Sequence, residues 1–173
     1  GSDPYLLVRA RAAEALGLIG ATDAAGAIAD LVRPAIASGA VAGQAADDLG
    51  AALTPELEAF RLALYALVRL KAADLVLATV TDGRGQPVAR WWPIAFALRR
   101  LDDPRAQAPL IALLRGEGSY TAAFAAQGLG FSKQPDIAVP PLVESLASPT
   151  PRPAVRIQAV RALARLKDPR GVG

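Results

Sequence analysis

Apolar residues recur three and four positions apart, the spacing of one helix face, in segments that return along almost the whole chain. The clearest copies are Val8-Arg9-Ala10-Arg11-Ala12-Ala13-Glu14-Ala15-Leu16 and Val155-Arg156-Ile157-Gln158-Ala159-Val160-Arg161-Ala162-Leu163. Between them stand Ala63-Leu64-Tyr65-Ala66-Leu67, Ile94-Ala95-Phe96-Ala97-Leu98 and Ala125-Ala126-Gln127-Gly128-Leu129. With the leucines at 16, 67, 98, 129 and 163 as anchors, the steps are 51, 31, 31 and 34 residues. Such self-similarity predicts an all-α solenoid, because one helix pair cannot bury its apolar stripe without a stacked neighbour.

Capping and breaking residues divide the pattern into elements. Asp3-Pro4 opens a predicted helix over 5–19, and a second runs over 24–38 after the turn at Gly20 to Asp23. Gly39, Gly43 and Gly50 make 39–54 an irregular insertion, which accounts for the long first step. Thr54-Pro55-Glu56-Leu57-Glu58 combines a capping residue, a first-turn proline and early acids, so a helix is predicted to about Leu70. Residues 74–80 are helical by position in the repeat. The turn residues Asp82-Gly83-Arg84-Gly85 leave a hairpin arm open as the alternative. Further helices are predicted over 87–101, kinked at Pro93, from the turn Asp102-Asp103-Pro104-Arg105 through Leu114, and over 120–130, 135–147 and 154–166.

Composition narrows the picture. The chain of 173 residues is 53% hydrophobic but only 5% aromatic, so alanine must fill thin layers between closely approaching helices. There is no cysteine and no histidine, which excludes disulfides, thiolate metal sites and histidine-based catalysis. The net charge of +3 is spread along a chain without a run of five like charges, so nucleic acid is not an expected partner. No stretch of about 18 uncharged apolar residues exists, so neither a transmembrane helix nor a membrane partner is expected. Gly1-Ser2 reads as a tag scar, and the absence of methionine suggests a fragment of a longer protein, residues 3–173 forming one repeat domain. A cytoplasmic location is favoured, although a removed signal peptide would leave the compartment open.

The repeats resemble HEAT repeats, particularly the bacterial phycobilin-lyase type. Pro109-Leu110-Ile111-Ala112-Leu113-Leu114 and Pro141-Leu142-Val143-Glu144-Ser145-Leu146 look like that family's first helix. Val8-Arg9 and Val155-Arg156 open its second helix, while Asp103-Pro104-Arg105 and Asp168-Pro169-Arg170 match its inter-repeat turn. The Val-Arg opening is replaced at Ala59-Phe60, Arg90-Trp91 and Thr121-Ala122, and Ser148-Pro149-Thr150 lacks the turn aspartate, so the charged ladder between repeats is expected to be incomplete. The resemblance implies a right-handed superhelix of antiparallel helix pairs, about four repeats plus an extra N-terminal helix, with the second helices lining a concave binding face.

Projection on the 3.6-residue period sorts each second helix around its anchor leucine. Offsets −7, −4, −3 and +3 share the buried stripe, which places Trp91 in the core. Offsets −6, −2, +1 and +2 point to the concave side. The candidate partner-binding residues are Arg61, Tyr65, Arg69, Trp92, Phe96, Arg99, Arg100, Gln127 and Arg161, with Val68 and Phe131 on the same projected face. Aromatics ringed by arginine are the side chains enriched at binding hot spots. Two alternatives stay open: Trp92 and Phe96 pack into the core or under 39–54, and Arg69, Arg100 and Arg165 serve the helix C-termini near which they fall.

No catalytic residue, cofactor or metal site is expected. Gly83-Arg84-Gly85 lacks the context of a phosphate loop, and Asp47-Asp48 and Asp102-Asp103 lack further ligands at useful spacing. The expected function is a non-enzymatic scaffold that takes a protein or peptide, acidic or aromatic in character, on the concave face. One alternative is a spacer repeat of a larger bacterial enzyme, such as a prolyl isomerase fusion. Others are a HEAT-like DNA glycosylase or a bilin lyase. End-to-end self-association is expected as well, since the terminal repeats lack polar caps.

Overall fold

The computed structural model describes residues 4–43, 53–150 and 152–167. Their helices are α1 (Leu6–Ile19), α2 (Ala25–Asp30), α3 (Arg33–Ala37), α4 (Pro55–Arg69), α5 (Ala73–Val80), α6 (Trp92–Leu98), α7 (Gln107–Arg115), α8 (Ser119–Leu129), α9 (Pro135–Ala147) and α10 (Pro153–Arg165). They stack as an α-solenoid of helix pairs. A first row runs α1, α4, α6, α8, α10, in which α1 lies along α4, α6 packs on α8 and α8 on α10. The second row holds α2, α3, α5, α7 and α9, with α7 against α8 and α9 against α10.

The first row approaches closely because small residues line its seams. Ala10, Ala13 and Gly17 of α1 are buried, and a Cβ on Gly17 would stand 2.7 Å from Ala66 Cα. Gly128 and Gly130 do the same service against Arg99 and Ala162. Larger side chains fill the space between the rows. Phe60, Leu64, Leu67, Trp91, Ile94, Leu98, Leu129 and Leu163 are fully buried, the Phe60 and Trp91 rings lying 5.9 Å apart. Trp91 is thus a core residue, as its offset predicts. Val160 departs from the projected stripe and stays 41% exposed.

The start of α4 follows its sequence. The Thr54 side chain accepts a hydrogen bond from the Leu57 N–H, and Pro55 fills the first turn, where its missing N–H costs nothing. Two predicted helices are corrected. The segment 24–38 is split into α2 and α3, because Pro34 in the first turn of α3 has no N–H to continue the ladder. The helix predicted over 87–101 is confined to Trp92–Leu98, and Pro93 opens it rather than kinking it. Residues ahead of it are drawn into a tight reversal: Thr81 and Pro87 form an antiparallel bridge, and Asp82 accepts from the Arg84 and Gln86 N–H groups. The run 73–80 is helical, so the open hairpin alternative reduces to this one bridge.

Ion pairs cross the repeats at intervals of 29 and 31 residues: Arg105–Asp74 at 2.6 Å, Lys133–Asp102 at 2.7 Å and Arg115–Glu144 at 2.8 Å. Arg105 also grips Asp103, and this hydrogen bonding holds the Asp103 carboxyl below the usual carboxylate range. These pairs are largely solvated and fix register more than they stabilise. Asp47-Asp48, the turn at 168–170, the tag residues and most of the 39–54 insertion lie outside the described residues.

Candidate functional site

Three helices of the first row bring aromatic and arginine side chains onto one surface. From α4 comes Tyr65, from α6 Trp92 and Phe96, and from α8 Phe124; all four are half-buried. Their rings form a chain. Tyr65 and Phe96 centroids are 5.0 Å apart, Phe96 and Phe124 meet edge-on at 5.9 Å, and Trp92 lies 6.1 Å from Phe124. These are the offset and edge-on geometries that the ring quadrupole favours.

Arg99 locks the chain of rings. Its guanidinium stands 4.6 Å from the Phe96 centroid and 5.0 Å from that of Phe124, and Nη1 donates to Gln127 Oε1. Arg100 reaches over Phe96 at 5.8 Å. Burial, and then the charge of Arg100, lower the Arg99 pKa from its ordinary value. At the other end Arg61 lies 5.8 Å over Tyr65 and is bound through two nitrogens to Glu58 at 2.8 and 3.0 Å. Burial pushes the Tyr65 phenol up to about 12, since the phenolate would lose its hydration. The Arg61 and Arg99 charges oppose that shift without cancelling it, and Tyr65 Oη meets no partner at hydrogen-bonding geometry.

Residues 108–172 match the family of HEAT repeats, and residues 94–116 match the PBS lyase HEAT-like repeat. Residues 94–172, somewhat under half of the chain, thus carry the HEAT-repeat pattern. No curated protein and no solved structure matches the chain. The matched segments contain Phe96, Arg99, Phe124 and Gln127, so the centre of the ring chain is built on recognised HEAT repeats.

Of the residues projected from sequence, Arg61, Tyr65, Trp92, Phe96, Arg99, Arg100 and Gln127 fall on or beside this surface. Trp92 and Phe96 are neither core nor fully exposed. Arg69 and Arg161 are exposed and make no ring contact or ion pair with the cluster. Phe131, on the same projected face, is 60% exposed and carries the Arg165 guanidinium at 4.0 Å. The missed residue is Phe124. Its offset of −5 lies beside +2 on the helical wheel, so widening the projected face by one position would have included it.

The surface is basic by omission of acids. Helices α6, α8 and α10 contain no aspartate or glutamate, whereas Arg99, Arg100, Arg156, Arg161 and Arg165 lie on or directly after them. Among the described residues, no cluster of three or more potential metal ligands occurs, and no helix is long and apolar enough to cross a membrane.

Proposed function

We propose that this HEAT-repeat chain is a non-enzymatic scaffold that binds an acidic peptide segment carrying apolar or aromatic side chains. The observation that carries this reading is the half-buried ring chain Tyr65–Phe96–Phe124–Trp92 pinned by Arg99, on helices that from α6 onward bear no carboxylate. Ring faces offer apolar contact to a partner's side chains. The arginines supply complementary charge, and the repeat stack holds both rigidly. The one carboxylate near the rings, Glu58, is held by Arg61, which leaves the ring faces to apolar contact.

A displayed peptide library selected against the chain tests this. Acidic sequences with aromatic residues should be enriched, and a Trp92→Ala, Phe96→Ala variant that keeps its helical circular dichroism should lose them. A selection without sequence preference, or equal retention by the variant, overturns the proposal.

A further inference from the structure

Beyond the ring chain, the C-terminal ends of α6 and α8 enclose an open cavity of about 550 Å³ lined by Arg99, Arg100, Leu101, Asp102, Gln127 and Phe131. It adjoins the rings and shares Arg99, Arg100 and Gln127 with their surface. The cavity has a strongly uneven charge. Arg99 and Arg100 are adjacent in sequence, and no carboxylate among the described residues pairs with either. Across from them Phe131 carries Arg165. The one acid in the lining, Asp102, is already engaged by Lys133 at 2.7 Å.

The hydrogen-bonding state points the same way. Gln127 takes Nη1 of Arg99, while Arg99 Nε is buried with no hydrogen-bond partner. Two like charges beside each other, one of them partly desolvated, raise the free energy of the empty site. An anion between them relieves that cost, and a carboxylate suits a guanidinium edge because its two oxygens match two parallel N–H groups. Phe131 and Leu101 give the cavity apolar walls beside the charges, which favours an acidic side chain flanked by an apolar one over a bare inorganic ion.

We infer that the Arg99–Arg100 cavity is the anchor for a carboxylate of the bound peptide, an aspartate or glutamate followed by an apolar residue. This inference rests on the peptide-binding reading and names the chemistry that sets its register. Peptides lying on the rings would present an acid at one fixed distance from their aromatic residue.

The test uses three probes on the whole chain: N-acetyl-glutamyl-phenylalanine amide, its glutamine counterpart, and inorganic phosphate. Binding is read from the Arg99 Nε–H signal in nitrogen-15 spectra. The glutamate probe should shift that signal saturably, the glutamine probe should not, and Arg100→Gln should weaken the response at least about tenfold. Arg100 is exposed at a helix end, so its replacement leaves the fold intact, which circular dichroism checks. Equal response to glutamate and glutamine, phosphate binding tighter than the glutamate probe, or an unaffected R100Q variant would each overturn the anchor. Library-selected peptides that bind wild type and R100Q equally would remove the anchor while leaving the ring surface standing. Failure of all selected peptides, with the glutamate probe still bound, would do the reverse.

Discussion

Three glycines around the first turn of the solenoid allow packing, backbone strain and helix propensity to be measured separately. In Gly17→Ala the new Cβ meets Ala66 Cα at 2.7 Å and Ala66 Cβ at 2.8 Å. Carbon atoms prefer about 3.5–4.0 Å, and a backbone atom cannot rotate aside. Helix α1 must therefore retreat from α4 by roughly 1 Å, loosening Ala10 and Ala13, which are buried on the same face. Overpacking of this kind costs about 1–3 kcal/mol. The alanine returns at most about 1 kcal/mol in helix propensity.

Gly26, in α2, would place its Cβ in open space, so Gly26→Ala keeps the propensity gain without the clash. Gly20 also has open space but adopts φ 77° as the left-handed cap of α1, so Gly20→Ala isolates backbone strain, about 1–2 kcal/mol. Urea denaturation followed by circular dichroism gives each midpoint at constant slope. Gly26→Ala should be the most stable of the three, and Gly17→Ala should fall below it by about 1–3 kcal/mol, or roughly 2–12 °C in Tm for a chain of this size. A Gly17→Ala variant that melts with Gly26→Ala would refute the close α1–α4 seam.

Other outcomes follow from the core, the rings and the chain ends. Trp91→Ala should destabilise by about 3–5 kcal/mol, whereas Trp91→Phe should cost much less, because it also removes a buried indole N–H that has no partner; equal losses in denaturant would contradict this. The Tyr65 pKa in the folded chain exceeds that of the unfolded one, so its contribution to stability is complete below about pH 10 and is lost as pH rises toward about 12. Tyr65→Phe should flatten that alkaline decline in thermal melts, and an unchanged slope would count against the buried phenol. Val8, Leu18 and Ile19 of α1 are 67%, 66% and 78% exposed, so concentration-dependent association is expected in light scattering, and a monomer at high concentration would exclude it.

The repeat pattern was readable because it depends on what every repeat must do. Leu67, Leu98, Leu129 and Leu163 each close the space between a pair and its neighbour, and all are buried. Leu16, on the first described helix of the row, is only partly buried. Boundaries failed where proline and a tertiary contact competed with the period. Nothing local to 87–91 forbids a helix; the Thr81–Pro87 bridge and the Asp82 turn hold it extended. Likewise Pro93 and Pro34 could each have been kinks, and only the backbone shows that both start helices instead.

The ring surface was only half legible for a more specific reason. At offset −5, helices α4, α6 and α8 carry Leu62, Pro93 and Phe124, and the first two are buried whereas Phe124 remains half-exposed. The same periodic position therefore has different surroundings in successive repeats, and the seam residues decide which. A Cβ on Gly128, one turn beyond Phe124, would stand 2.7 Å from Arg99 Cβ and 3.0 Å from Leu110 Cδ1. Glycine there lets α8 settle onto the end of α6, and that approach is what brings the Arg99 guanidinium between Phe96 and Phe124. The period of the solenoid thus places the rings on one face, but the depth to which each sinks, and the arginine that joins them, depend on a missing methyl group between two helices.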